Sequence, residues 1–255
     1  MKKIIKGSVA IGTGYPVYTS VRNTKVMNRL ISDGLGIFSR RFTVRELDSG
    51  EYSKIRIYGV MTFKVKKYQI EGVGNLSIMT VNMGVMQMLS FVVTPLEKDL
   101  PLMSADYIFT LSKRKVILDF YDLTENKSDP AYQDILKALS KIHAGYSDLK
   151  DAPRARAWYE DLMTVSSSKT GRVREDLRLQ KLFSESAECL AKFAAVSPEL
   201  DETAKDKKRA LICDYANGLV DRGGLSTDVF KKCLGEKKTK EFFRKVFFGY
   251  DTDIS

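Results

Sequence analysis

The stretch Met88–Phe109, MLSFVVTPLEKDLPLMSADYIF, decides how the rest of the chain is read. Two apolar, β-prone runs flank a short connection that begins after Pro95 and ends at Pro101. That connection is too short for a helical crossover, so the runs must pair antiparallel. Strand parity then puts Ala105, Tyr107 and Phe109 on one face and Ser104, Asp106 and Ile108 on the other. Asp106 therefore stands among small and apolar neighbours. Such a carboxyl has two readings. Desolvation raises its pKa and suits it to donate a proton to a bound molecule. Alternatively it is a structural Asp bonded to a backbone N–H or an Arg, as most semi-buried carboxylates are.

The same texture extends outward over residues ~40–122. RRFTVREL and SKIRIYGVMTF alternate polar and apolar residues, and YQIEGVGNLSIMTV and KVILDFYDL are rich in Val, Ile, Phe and Tyr. Short turns throughout argue for an antiparallel meander. Helices follow over 128–250. SDPAYQDILKALSKIHAGY opens with Asp129 as N-cap and Pro130 at the first helical position. Further helices are expected at REDLRLQKLFSESAECLAKFAAV, ETAKDKKRALICDYANGLV and STDVFKKCLGEKKTKEFFRKVFF, with one more near TKVMNRLIS in the N-terminal region. The segment from SDLKDAPRARAW to SSSKTGR reads as loop. The pattern predicts one α+β domain over 1–255, an α/β/α sandwich with a central antiparallel sheet flanked by helices.

The 255 residues carry a hydrophobic share of 44%, a charged share of 29% and a net charge of +10. This balance fits a soluble globular protein with an acidic partner: nucleic acid, anionic membrane, acidic protein or acidic small molecule. No apolar run reaches the roughly 18 residues a membrane span needs. The basic clusters at Lys64, Lys66 and Lys67, at 113–115, at 207–209 and at 237–238 are dispersed and lack the motif of a nucleic-acid module. They read as solvated surface, with a patch for an acidic protein as the functional alternative. Three cysteines at spacings of 24 and 20, and a single histidine, His143, give no disulfide framework and no ready metal site. A reducing cytoplasm is the expected setting.

Other candidates are weaker as sequence signals. Arg154 and Arg156, in PRARAW, suit bidentate capture of a carboxylate, or else lie on a surface loop anchored by Trp158. Asp221 and Arg222 precede a Gly-Gly turn and read first as a helix end, with Gly223 left-handed. His143, without a visible partner, reads as structural.

The opening stretch, followed by KVILDFYDL, resembles the ferredoxin-dependent bilin reductases. The carrying elements are Pro95, Leu100-Pro101, Leu102-Met103, Ser104-Ala105, Asp106 and then Leu118-Asp119. More thinly, DPAY, AWYEDLM and a DR pair before FKKCLGEKKTKEFFRKVFF resemble later parts of that family. The resemblance implies a metal-free, flavin-free reductase of an open-chain tetrapyrrole, biliverdin or a dihydrobiliverdin. The pigment would be held between the sheet and the C-terminal helices. An acidic ferredoxin would supply single electrons through radical intermediates, and side chains would supply protons. It further implies that Asp106 is the main proton donor and Asp221 a second. Arg154, Arg156 and Arg222 would hold propionates, and Ser90 and Met79 would line the substrate. The phycocyanobilin-forming branch carries His and Glu on the strand aligned with LSIMTV and a His at the position of Ser90. This chain has Ser77, Met79 and Ser90 there. A monomer is expected, with no nucleic acid or membrane as partner. The competing readings are a bilin or haem carrier without catalysis and a basic nucleic-acid-binding protein.

Overall fold

The computed structural model describes residues 14–57, 61–154, 156–224 and 227–251. Its centre is one antiparallel sheet of eight strands: β1 (Val44–Leu47), β2 (Lys54–Ile57), β3 (Met61–Ile70), β4 (Gly74–Asn82), β5 (Met86–Pro95), β6 (Leu102–Thr110), β7 (Lys113–Tyr121) and β8 (Met163–Arg172). From β3 onward each strand pairs with its successor. β1 and β2 share the outer edge of β3, one along each half. The meander expected from short turns is thus present, and Met88–Phe109 spans most of the β5–β6 hairpin.

Two parts of the sheet depart from the sequence expectation. The run 53–63 supplies two strands, since Ile55 pairs with Phe63. Residues 163–172, expected as loop, form β8 and complete the sheet against β7. Their Ser, Thr and Lys content hides the strand because hydrogen bonds, rather than apolar packing, satisfy its inward side chains. Ser167 Oγ meets His143 Nδ1 at 2.8 Å, and Lys169 donates to the Leu149 carbonyl at 3.2 Å. Strand propensity here is overridden by ladder pairing along a full neighbour.

Helices cover both faces, so the sandwich expectation holds. On one face lie α1 (Gly14–Ser39), α2 (Pro130–Ala144) and α3 (Asp176–Val196), packed on Phe91, Tyr107, Phe109 and Phe120. On the other lie α4 (Glu202–Asp221), α5 (Thr227–Leu234), α6 (Glu236–Phe242) and a π-helical turn at Phe243–Phe247. α2 starts as its sequence predicts: Asp129 accepts from the Ala131 and Tyr132 amides at 2.8 and 3.0 Å, with Pro130 in the first turn. Among the described residues no helix is long and apolar enough to cross a membrane.

The basic clusters are not uniformly solvated, contrary to expectation. Arg114 is buried, forks onto Asp176 at 2.6 and 3.1 Å and lies 4.9 Å from the Phe109 ring centre. Lys208 is buried and donates to the Leu100 carbonyl at 2.8 Å, tying α4 to the β5–β6 connection. Both are cationic side chains used as internal struts, tolerable because each has a partner.

His143 is structural, as its sequence context suggested. Its two ring nitrogens face Ser167 and Ser186, at 2.8 and 3.3 Å. Burial pushes its pKa down to about 4. The unfolded chain therefore binds the proton more tightly, and the neutral ring stabilises the fold fully above about pH 6.5. That contribution, on the order of 3 kcal/mol, is lost as pH falls from 6.5 toward 4. His143→Gln is expected to flatten this acid limb in denaturant melts at pH 7, 5 and 4. Parallel curves for both proteins would refute the assignment.

Candidate functional site

Strand register assembles the site on the face covered by α4–α6. Met79, Ser90, Asp106 and Ile117 stand opposite one another across β4, β5, β6 and β7. One step along the strands, Ser104, Asp119 and Ser166 form the adjacent row. Two carboxylates thus occupy neighbouring rows of one sheet face.

Their surroundings differ. Ser90 Oγ donates to Asp106 Oδ1 at 2.5 Å, and Ser104 Oγ donates weakly to Oδ2 at 3.3 Å. Burial raises the Asp106 pKa to about 6, and the neighbouring Asp119 charge adds to the rise; the Ser90 and Ser104 bonds and Arg154 oppose it. Asp119 instead is saturated with donors. Arg154 forks onto it at 2.8 and 2.5 Å, Ser166 Oγ donates at 2.8 Å and Tyr121 OH at 3.2 Å. Asp119 is thus held in an ion pair with two further hydroxyl donors, whereas Asp106 is a carboxyl with few donors whose proton burial helps to retain.

Above this floor lies a narrow cavity of about 80 Å³. Tyr159 and Tyr215 wall one side, beside Arg154; Phe230, Phe242, Phe243 and Phe247 form much of the roof. A mostly apolar enclosure with a few convergent polar groups is the usual form of a small-molecule site. Among the described residues no cluster of three or more His, Cys, Asp or Glu is placed to hold a metal.

Two fastenings hold the cover. At the π-helical turn, Lys67 donates to the Lys245 carbonyl at 2.6 Å and Ser77 to the Phe247 carbonyl at 2.7 Å. Asn75 adds bonds of 3.3 Å to the Val246 and Phe247 carbonyls. Gly249 follows at φ 63°, where a Cβ would sit 2.4 Å from Asn75 Cγ. On the other side the Trp158 indole lies against Gly218, where a Cβ would approach within 2.3 Å, and donates to the Gly223 carbonyl at 2.8 Å.

The residues singled out in the sequence divide accordingly. Asp106, Ser90, Met79 and Arg154 line the cavity. Asp221 does not: it is exposed at the end of α4 and pairs with Lys240 at 2.7 Å. Arg156 is 95% exposed and 3.6 Å from Glu160. Arg222 lies over Trp158, 5.0 Å from the ring centre, one aromatic layer outside the lining. The helix end expected at Arg222 is present, with Gly223 at φ 89°. Sequence reasoning named Asp119 only as part of the resemblance, without a role, and did not single out Tyr121, Tyr215 or the anchoring role of Ser77. Asp119 was within reach: the β6–β7 turn pairs Thr110 with Lys113, which counts back to Ser104 opposite Asp119. Tyr215 carried no such signal, because nothing local shows which face of α4 meets the sheet.

No protein-family model matches the chain, and no curated protein sequence does. Among solved structures, selenomethionine-labelled phytochromobilin synthase from tomato, in complex with biliverdin, superposes with a TM-score of 0.70. The alignment covers 89% of this chain and 84% of that one at 16% identity. The fold is shared with phytochromobilin synthase. At that identity the likeness speaks for architecture: an open antiparallel sheet between two helical layers.

Two outcomes follow from the site's physics. Because the folded state holds the Asp106 proton more tightly than the unfolded chain, stability falls as pH rises from about 4 to about 6, and the penalty persists above. Asp106→Asn is expected to exceed the parent by on the order of 1–2 kcal/mol at pH 8 and to match it near pH 4 in urea melts. An equal gap at both pH values would count against a strained carboxyl. Gly249→Ala should cost about 1–3 kcal/mol, because a left-handed backbone and a clash with Asn75 coincide. An unchanged Tm would show that the roof is not pinned there.

Proposed function

We propose that this chain is a ferredoxin-dependent bilin reductase, which takes an open-chain tetrapyrrole such as biliverdin between the sheet and α4–α6. The observation that carries the reading is Asp106: a half-buried carboxyl with a pKa near 6 on the floor of an aromatic-walled cavity. It stands in a fold shared with an enzyme solved in complex with biliverdin. A conjugated pigment reduced by two electrons must also gain two protons. A carboxyl that keeps its proton near neutral pH suits the first transfer, and solvent returns a proton to it. The aromatic roof stacks on an extended π-system and excludes bulk water.

The chain's own residues then take distinct parts. Ser90 and Ser104 orient the Asp106 carboxyl, and Met79 and Met88 give an apolar, adaptable floor. Arg154 lies where an acidic arm of the pigment shares it with Asp119; Arg156 and Arg222 meet such arms further out. A role for Asp221 as second donor requires Lys240 to release it. Electrons come singly from reduced ferredoxin, an acidic partner suited to the net charge of +10.

The test is an anaerobic absorbance series: biliverdin is added to the purified protein, then a ferredoxin reducing system. A shift on binding followed by a new product band is expected. Asp106→Asn should bind the pigment and lose at least 100-fold in turnover, on the scale of a positioned proton donor. In the parent, kcat/KM should decline as pH rises through about 6. Binding without turnover would make the protein a carrier, and the absence of binding would end the bilin reading.

A further inference from the structure

The Asp119–Arg154 pair faces the cavity beside Asp106, outside the proton transfer assigned to that carboxyl. It is the most heavily bonded ionic group facing the cavity: Arg154 forks onto Asp119, and Ser166 and Tyr121 donate to it as well. Asp119 sits in the row next to Asp106, with Ser104 opposite it and bonded to Asp106. Arg154 reaches it from the loop before β8, and its side chain is still 23% exposed.

The other groups around Asp106 leave these two in control. β4 and β5 contribute Met79 and Ser90, without charge. β7 contributes Asp119 and Tyr121; α4 contributes Tyr215; the turn before β8 contributes Tyr159. Tyr121 and Tyr215 are held protonated by burial, well above the usual phenol range. From α5, α6 and the π-helical turn the lining is Thr227 and phenylalanines. Among the described residues that line the cavity, the fixed charges are therefore one anion and one cation, bonded to each other.

We propose that Asp119 and Arg154 are positioning residues that set the acid strength of Asp106, the anion holding its proton on and the cation moderating that hold. The bidentate fork fixes both charges in place, so the field at Asp106 is built in rather than supplied by solvent. Of the two, Asp119 has the larger influence on Asp106 and Arg154 the smaller, opposite one. The two replacements must then act in opposite directions. Asp119→Asn removes the repulsion and leaves the cation, lowering the Asp106 titration midpoint. Arg154→Gln removes the moderation and raises it.

The inference takes Asp106 as a proton-holding group, as the proposed reductase does, but its test does not need a pigment. The protonated-carboxyl band that vanishes in Asp106→Asn is followed against pH by infrared difference spectroscopy. In Asp119→Asn its midpoint is expected to fall by on the order of one pH unit, the scale of a nearby charge. Arg154→Gln should shift it upward. That variant leaves a buried carboxylate unpaired, a strongly destabilising change, so Asp119→Asn/Arg154→Gln, which removes both charges together, is measured beside it and should lie between the parent and Asp119→Asn. An unchanged or raised midpoint in Asp119→Asn would overturn the proposal, as would a double variant below the single one. If the midpoints move as expected but no bilin is reduced, the positioning pair stands and the reductase reading falls. If bilin is reduced with an unshifted profile in Asp119→Asn, the reverse holds.

Discussion

Everything at this site depends on keeping a carboxyl out of water without giving it a counter-ion. A buried Asp is ordinarily paired with a cation or wrapped in amide donors, because an unpaired charge inside a protein is costly. Asp106 has two serine hydroxyls instead. The cation that could have neutralised it, Arg154, is committed to Asp119 in the adjacent row. The sheet is therefore asymmetric on one face: an ion pair toward β7 and β8, a strained acid in the middle, and apolar surface toward β3 and β4. That asymmetry persists only because both faces of the sheet are covered, so that bulk solvent cannot relax it.

The covering layers do unlike work. On the far face, α1, α2 and α3 build a conventional core with Phe91, Tyr107, Phe109 and Phe120, which stiffens the strands that carry the acids. His143 and Arg114 belong to that stiffening, each neutral or paired by its neighbours. On the near face, α4–α6 stop short of filling the space above Asp106 and instead arch over it with aromatic rings. Local rigidity below and incomplete packing above is how a fold leaves room for a ligand while fixing the groups that act on it.

What the sequence made legible follows strand parity. The alternation in SADYIF put Asp106 on the face opposite Tyr107 and Phe109, and the structure has it there. The charge of Asp129 and the ring of Pro130 marked the start of α2 because capping is a local interaction. β8 was not legible, since MTVSSSKTGR earns its place through hydrogen bonds to residues far away in the chain. For the same reason Arg114 and Lys208 looked like surface charge: nothing near them in sequence announces Asp176 or the Leu100 carbonyl. Arg154, read as a ligand for an acidic arm, also bonds a protein carboxylate 35 residues away, a partner that nothing near it in sequence announces.

The fastenings of the cover also bear on its rim. The π-helical turn is bonded down to β3 and β4 through Lys67, Asn75 and Ser77, and the Trp158 loop is wedged against α4. Between these clamps, Met88 and Ile108 on the β5–β6 hairpin remain half-exposed while still lining the cavity. Both thus present apolar side chains to solution at one side of the cavity. These apolar side chains stand in the row next to Asp106, on the side away from Ser104 and Asp119. The shape of the rim and the acid beside it are therefore carried by different residues of the same two strands.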